Sequence, residues 1–215
     1  MEWIINREKV DAAFSSEIIL SDEARFHLDG FVNRQNCRVW GSEKPRVISE
    51  KQMHPQRVIV WCGFWAEGIV GLYFFENEAG QAATVNGARY RDTITRFFLP
   101  KFDDIDVADM WFQQDDATCH TTDETIQLPH ETFPDRVLSR FGDQNWPPIS
   151  CDLTPLDFFL WGYLKSKICV DDPTTTHALR EENKHCINEI QPQLCRKMMK
   201  NLDERVRMWQ QSLKR

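Results

Sequence analysis

Three aspartates, Asp22, Asp115 and Asp157, stand in apolar stretches where an isolated carboxylate needs a reason to be. Residues 18–28 read as a strand of period two. One face is then Ile18, Leu20, Asp22, Ala24, Phe26 and Leu28, and the other Ile19, Ser21, Glu23, Arg25 and His27. Asp22 is the one polar group on the first face. Burying an ionised carboxylate costs several kcal/mol unless it is paired or bound to a metal. Asp22 is therefore either the partner of a buried arginine or a metal ligand.

The second aspartate ends the run Trp111-Phe112-Gln113-Gln114-Asp115-Asp116-Ala117-Thr118-Cys119-His120. The C-terminal ends of central strands project into the crevice where α/β sheets bind ligands. Adjacent strand residues point to opposite faces, so only one of Asp115 and Asp116 can reach a common site. Asp116 or Thr118 otherwise serves to cap the following helix. The third aspartate lies in Thr154-Pro155-Leu156-Asp157, ahead of Phe158-Phe159-Leu160-Trp161-Gly162-Tyr163-Leu164. Thr154, Pro155 and Asp157 resemble a capping box, in which Asp157 would only satisfy backbone N–H groups. Asp157 also lies one turn before Leu160 and Trp161, heading the helix face that should pack on the sheet. Three carboxylates from two strands and a helix suit hard divalent cations such as Mg²⁺ or Mn²⁺, which take carboxylate oxygens together with water and phosphate. A pair of such ions about 4 Å apart serves phosphodiester chemistry.

The elements that must position these acids follow from the apolar pattern. Strands are expected at 17–28, Cys37–Trp40, Arg57–Trp65, Ile69–Phe75, Met110–Gln114 and Arg136–Phe141. Helical spacing covers Asn86–Leu99, stopping before Pro100, then starts again at Thr122–Leu128. Trp146–Pro155 is a Pro-punctuated loop and Leu156–Ile168 an apolar helix. The tail 176–213 is amphipathic and helical, broken near Pro192. This order describes an α/β domain with one mixed sheet flanked by helices.

At 215 residues, with 41% apolar and 27% charged residues, the chain is long enough for one domain with a sizeable core. No run of eighteen apolar residues exists, so no membrane span is expected. The first residues carry no apolar stretch of the secretory kind. Seven cysteines, none in a Cys-x-x-Cys pair, point to free thiols in a reducing compartment and away from a disulfide framework or zinc ribbon. The net charge of −7 is uneven: residues 180–215 carry nine basic and five acidic residues, while 101–135 hold ten acids against Lys101 alone. Such a surface repels nucleic acid, so a nucleic-acid role needs a local site and a metal to offset its charge. No Gly-rich phosphate loop is present, which argues against a nucleotide cofactor. Ser150 lacks the context of a hydrolase nucleophile.

The three acidic segments resemble the catalytic blocks of Tc1/mariner transposases. The blocks are Leu20-Ser21-Asp22-Glu23-Ala24, Phe112-Gln113-Gln114-Asp115 with Ala117-Thr118-Cys119-His120, and Trp146-Pro147-Pro148 through Asp152-Leu153-Thr154-Pro155-Leu156-Asp157. Val60-Trp61-Cys62-Gly63, Val85-Asn86-Gly87-Ala88-Arg89-Tyr90 and Phe158-Phe159-Leu160-Trp161-Gly162 match between them, so the resemblance spans about 14–210. It implies an RNase H-like fold at 14–175, with amphipathic helices at 176–215 and a linker remnant at 1–13. It implies a DDD triad of Asp22, Asp115 and Asp157 holding two Mg²⁺ or Mn²⁺ ions. It also implies DNA cleavage and strand transfer at transposon ends, a homodimer and a nuclear location.

The chain departs from the family in several places. The family carries a helix-turn-helix half that reads transposon ends, and the chain, beginning near the end of the linker, is expected to lack it. Asp116 replaces a Gly or Asn, adding a like charge beside the triad. Pro129 falls where a helix should continue, and an interior Pro costs roughly 3 kcal/mol. Between Asp115 and Asp157 lie 41 residues, more than is usual in the family. These changes favour, as the alternative function, an inactive or domesticated remnant that binds DNA or protein. A third reading, a nuclease acting on RNA–DNA hybrids, fits the long mariner-like blocks less well. His120, at the start of a helix beside the site, is either a phosphate contact or a helix-start polar residue. Arg196, Lys197 and Lys200, with Arg205 and Arg207, form a basic helical face that is either solvated or set against a DNA backbone.

Overall fold

The computed structural model describes residues 2–11, 13–28, 56–103, 105, 107–147 and 150–213. The strand expected at Cys37–Trp40 lies outside the described residues. The longest strands form where apolar residues alternate or run together: β1 (Ile18–His27), β2 (Arg57–Trp65) and β3 (Gly68–Phe74). Shorter strands follow at β4 (Trp111–Gln113), β5 (Val137–Ser139) and β6 (Gln144–Asn145). They make a six-stranded sheet in the order β3-β2-β1-β4-β5-β6. β1, β2 and β3 pair antiparallel, while β1–β4, β4–β5 and β5–β6 pair parallel. β1 is therefore the strand on which the sheet changes from antiparallel to parallel.

The period-two reading of β1 holds. Ile18, Leu20, Ala24 and Phe26 join Val58, Val60, Cys62 and Phe64 of β2 in one buried cluster, whereas Ile19, Ile59 and Trp61 belong to another on the opposite face. The first cluster is covered by α4 (Trp161–Asp171), α5 (Thr176–Asn188) and α6 (Pro192–Leu213), through Leu164, Leu179, Cys186, Cys195, Met199, Leu202 and Val206. The second receives Tyr90 from α2 (Gly87–Thr93) and Ile94 and Phe98 from the π-helical turn Ile94–Phe98 that continues it. Asn86 caps α2 by accepting the Arg89 N–H at 2.9 Å. Pro192 opens α6, so the break expected there is the gap between α5 and α6.

Several boundaries differ from the sequence reading for local reasons. The helical path from Asn86 does not stop before Pro100. It tightens into a 3₁₀ turn, Leu99–Phe102, in whose first positions Pro100 sits and its missing N–H goes unneeded. Pro129 lies one residue before the end of α3 (Asp123–His130), so it closes a short helix and does not interrupt a long one. The strand expected over Arg136–Phe141 keeps only Val137–Ser139, because the chain turns at once and packs Gly142 against it. A Cβ at Gly142 would stand 2.6 Å from the Val137 carbonyl oxygen. The N-terminal residues form a helix, α1 (Glu2–Val10). Trp3 of α1 packs against Phe14 and Trp111, with ring centroids 5.4 and 4.7 Å away.

Candidate active site

Parallel pairing of β1 with β4 runs Ile18↔Trp111, Ile19↔Phe112 and Leu20↔Gln113. Asp22 lies two residues beyond Leu20 on β1, and Asp115 lies two residues beyond Gln113, just past the end of β4. The third acid arrives from the helical layer over the face of Leu20. Its helix begins as a π-helical turn, Leu156–Leu160, and continues as α4. Leu156, Leu160 and Leu164 are wholly buried against the sheet. At roughly 1.5–3 kcal/mol for each such side chain, their packing outweighs any repulsion the aspartate suffers and fixes where the helix starts.

The capping box expected around Thr154 does not form. The Thr154 carbonyl accepts the N–H groups of Asp157 and Phe158 at 2.9 and 3.1 Å, and its hydroxyl turns back to the Ser150 carbonyl. Asp157 is not spent on backbone donors. It is also not at the centre of the packed face: Leu156 takes that place and Asp157 is exposed beside it. Arg205 of α6 secures the approach, donating to the Asp152 carbonyl at 3.1 Å and lying 4.0 Å from the Phe158 ring centroid.

Among the described residues Asp22 has no arginine partner. The Trp161 indole Nε1 donates to its Oδ2 at 2.7 Å. Burial pushes the Asp22 carboxyl well above its ordinary value, and the charges of Asp157, Glu23 and Asp115 push the same way against the Trp161 hydrogen bond. Asp157 rises to about 6, through the protein packed around its carboxyl and the charge of Asp115, with Lys165 opposing. Asp115 behaves differently. Burial raises it, but His120 and the Ala117 N–H outweigh burial and hold it below the usual range. Both act on one oxygen: Oδ1 accepts from His120 Nδ1 at 2.6 Å and from Ala117 N at 3.0 Å.

His120 was expected at a helix start. It instead closes a turn before α3, donating its N–H to the Ala117 carbonyl, and its side chain has no exposed surface. Its Nε2 lies 3.3 Å from Glu23 Oε1, and its ring is 4.1 Å from that of Tyr90, whose hydroxyl donates to Gln114. Both ring nitrogens are engaged below the surface, one by Asp115 and the other by Glu23. Burial disfavours the charged ring, yet Tyr90, Glu23 and Asp115 raise its pKa well above the ordinary value.

The remaining expected residues stand apart from this cluster. Asp116 points to Arg140, 3.7 Å away, and caps no helix. Asp116 and Asp115 thus have different partners, Arg140 and His120. Arg196 is tied to Glu67 at the β2–β3 turn, its Nε 3.0 Å from Oε1. Lys197 and Lys200 are exposed on α6. Trp161, Glu23 and Tyr90 were missed as site residues. The spacing of Trp161, one turn after Asp157, was the available signal; Glu23 and Tyr90 reach the site only through tertiary pairing.

The donors suit a hard divalent ion: three carboxylates, with one oxygen each of Asp22 and Asp115 already held and Asp157 unspent, and an excess of negative charge. Among the described residues, however, no three His, Cys, Asp or Glu side chains stand close enough together to hold an ion. The acids feel each other's charge without meeting at ligand distance. The donor types and charge fit such an ion; the spacing is wider than coordination requires.

No protein-family model matches the chain. In sequence it is 24% identical over 196 residues to the transposable element Tc3 transposase of Caenorhabditis elegans, covering 89% of this chain and 54% of that protein. The chain thus spans about half the length of this curated relative. Its fold matches the catalytic domain of Mos1 mariner transposase with a TM-score of 0.69 at 17% identity, over 95% of this chain and 85% of that one. It also matches Mos1 in its paired-end complex with Mn, with a TM-score of 0.73 at 18% identity, over 95% of this chain and 57% of that one. The mixed sheet and flanking helices are the RNase H-like fold expected from the sequence. The chain is thus similar in sequence to the Tc3 transposase and in fold to the catalytic domain of Mos1 transposase.

Proposed function

We propose that the chain is the catalytic domain of a mariner-like transposase that cleaves DNA phosphodiester bonds and transfers strands at transposon ends. Asp22, Asp115 and Asp157 would hold two Mg²⁺ or Mn²⁺ ions, which when bound activate the attacking oxygen and stabilise the leaving one. The observation that carries this reading is that parallel pairing of β1 with β4 brings Asp22 and Asp115 near enough for the charges of Asp115 and Asp157 both to act on the buried Asp22. Trp161 orients Asp22, His120 and Ala117 orient Asp115, and buried leucines set the helix that carries Asp157. Lys197 and Lys200 offer a local attraction for a DNA backbone on a chain whose overall charge repels it. A DNA partner, a homodimer and a nuclear location belong to the same reading.

The test is a nicking and strand-transfer assay with Mn²⁺, on the chain fused behind a helix-turn-helix half that reads a known transposon end. Activity lost in each of Asp22→Ala, Asp115→Ala and Asp157→Ala supports the proposal. The separation of the three acids favours a second reading, an inactive or domesticated copy that binds DNA or protein. Partner binding that survives the triple substitution, without nicking by the unsubstituted chain, supports that second reading.

A further inference from the structure

A buried imidazole joins the two faces of the central sheet behind the acidic cluster. Asp22 and Glu23 are neighbours on β1, so they project to opposite faces, and on the far face Glu23 meets His120. Carboxylates accept hydrogen bonds and do not donate them when ionised. The ring is set between Asp115 and Glu23, with a carboxylate oxygen 2.6 Å from Nδ1 and another 3.3 Å from Nε2, which fixes its orientation. Tyr90 closes the third side, its ring over the imidazole and its hydroxyl on Gln114, the residue just before Asp115. The arrangement commits Oδ1 of Asp115, which takes both His120 Nδ1 and Ala117 N, and leaves Oδ2 for another partner.

We propose that His120 is a positioning residue for Asp115: anchored by Glu23, it holds Oδ1 so that Oδ2 is the oxygen presented to a divalent ion. The inference rests on the metal reading above. Partners that orient metal ligands in this way change metal affinity roughly 10–100-fold when removed.

The two ring nitrogens can be tested separately, because an Asn amide nitrogen can stand near the Nδ1 position and a Gln amide nitrogen near the Nε2 position. Mn²⁺ binding is measured by calorimetry on the full chain and on His120→Asn, His120→Gln and Glu23→Gln, with folding checked by circular dichroism and Tm. His120→Asn, which keeps the donor to Asp115, is expected to bind within about threefold of wild type, and His120→Gln to bind roughly 10–100-fold more weakly at a similar Tm. Glu23→Gln weakens the anchor of the ring and is expected to bind Mn²⁺ more weakly than wild type, by less than His120→Gln does. Equal affinity in His120→Asn and His120→Gln overturns the inference, as does a loss in both that follows Tm alone. If neither His120 variant folds, Glu23→Gln decides: a partial loss upholds the inference, whereas unchanged binding, or a loss as large as that of Asp115→Ala, overturns it. Absence of Mn²⁺ binding by wild type refutes the metal reading instead, a result distinct from all of these.

Discussion

The Trp161 indole nitrogen lies 2.7 Å from Asp22 Oδ2, joining the helix that carries Asp157 to the strand that carries Asp22. One hydrogen bond thus couples the placement of two acids 135 positions apart in the chain. Trp161→Phe keeps most of the ring and removes the donor. It should cost about 2 kcal/mol in urea denaturation. A double-substitution cycle with Asp22→Asn should show a coupling energy above about 0.5 kcal/mol; additive effects would show that the contact carries no weight.

The raised pKa of Asp157 has a definite sign in stability. The folded state keeps its proton up to about pH 6, whereas the unfolded chain releases it near the ordinary value of 3.8. Between those values the folded state binds more protons, so this group's contribution falls as pH rises from about 4 to beyond 6. In metal-free protein, Asp157→Asn should therefore gain on wild type across that window. Asp157 is exposed, and after allowing for solvent screening the gain at pH 7 should be about 1 kcal/mol. A difference that does not vary with pH would contradict this placement of Asp157.

The thiols should differ sharply in reactivity. Burial and the charges of Asp22 and Glu23 push the Cys62 thiol well above its ordinary value, while Cys151 is exposed. Alkylation at pH 8, followed by peptide mass spectrometry, should label Cys151 readily and Cys62 only after unfolding. Comparable labelling of both in the native protein would mean that the β1–β2 pairing opens easily.

Gly142 should tolerate no side chain. Gly142→Ala places a Cβ against the Val137 carbonyl and the Ser139 hydroxyl, and should destabilise the chain by about 1–3 kcal/mol in denaturant. An unchanged midpoint would show that the turn after β5 can open at little cost.

Much of this organisation is written locally in the chain. The alternation in 18–28 gives β1 its two faces and puts Asp22 toward the helices, and the apolar spacing after Pro155 gives the helix that brings Asp157. Both are short-range patterns of period two and of one helical turn, so they survive without knowledge of neighbours. The register Leu20↔Gln113 is not local, and it brings the end of β4, just before Asp115, to the strand that carries Asp22. The His120 position is of the same kind, because only strand pairing brings Glu23 and Asp115 to one ring. The capping box failed for a similar reason: Leu156 and Leu160 gain more by packing than Thr154 and Asp157 gain by mutual hydrogen bonds. Asp116 and Pro129, suspect on sequence grounds, are accommodated by a pairing with Arg140 and by the end of a short helix.

The central claim is that three acids distant in sequence form one cation site. Calorimetric titration of Mn²⁺ into the purified chain, beside Asp22→Ala, Asp115→Ala and Asp157→Ala, tests it most directly. The account predicts saturable binding by the wild type and a loss of at least tenfold in each variant that remains folded. Wild-type protein that binds no Mn²⁺, or folded variants that bind it as well as wild type does, would contradict it.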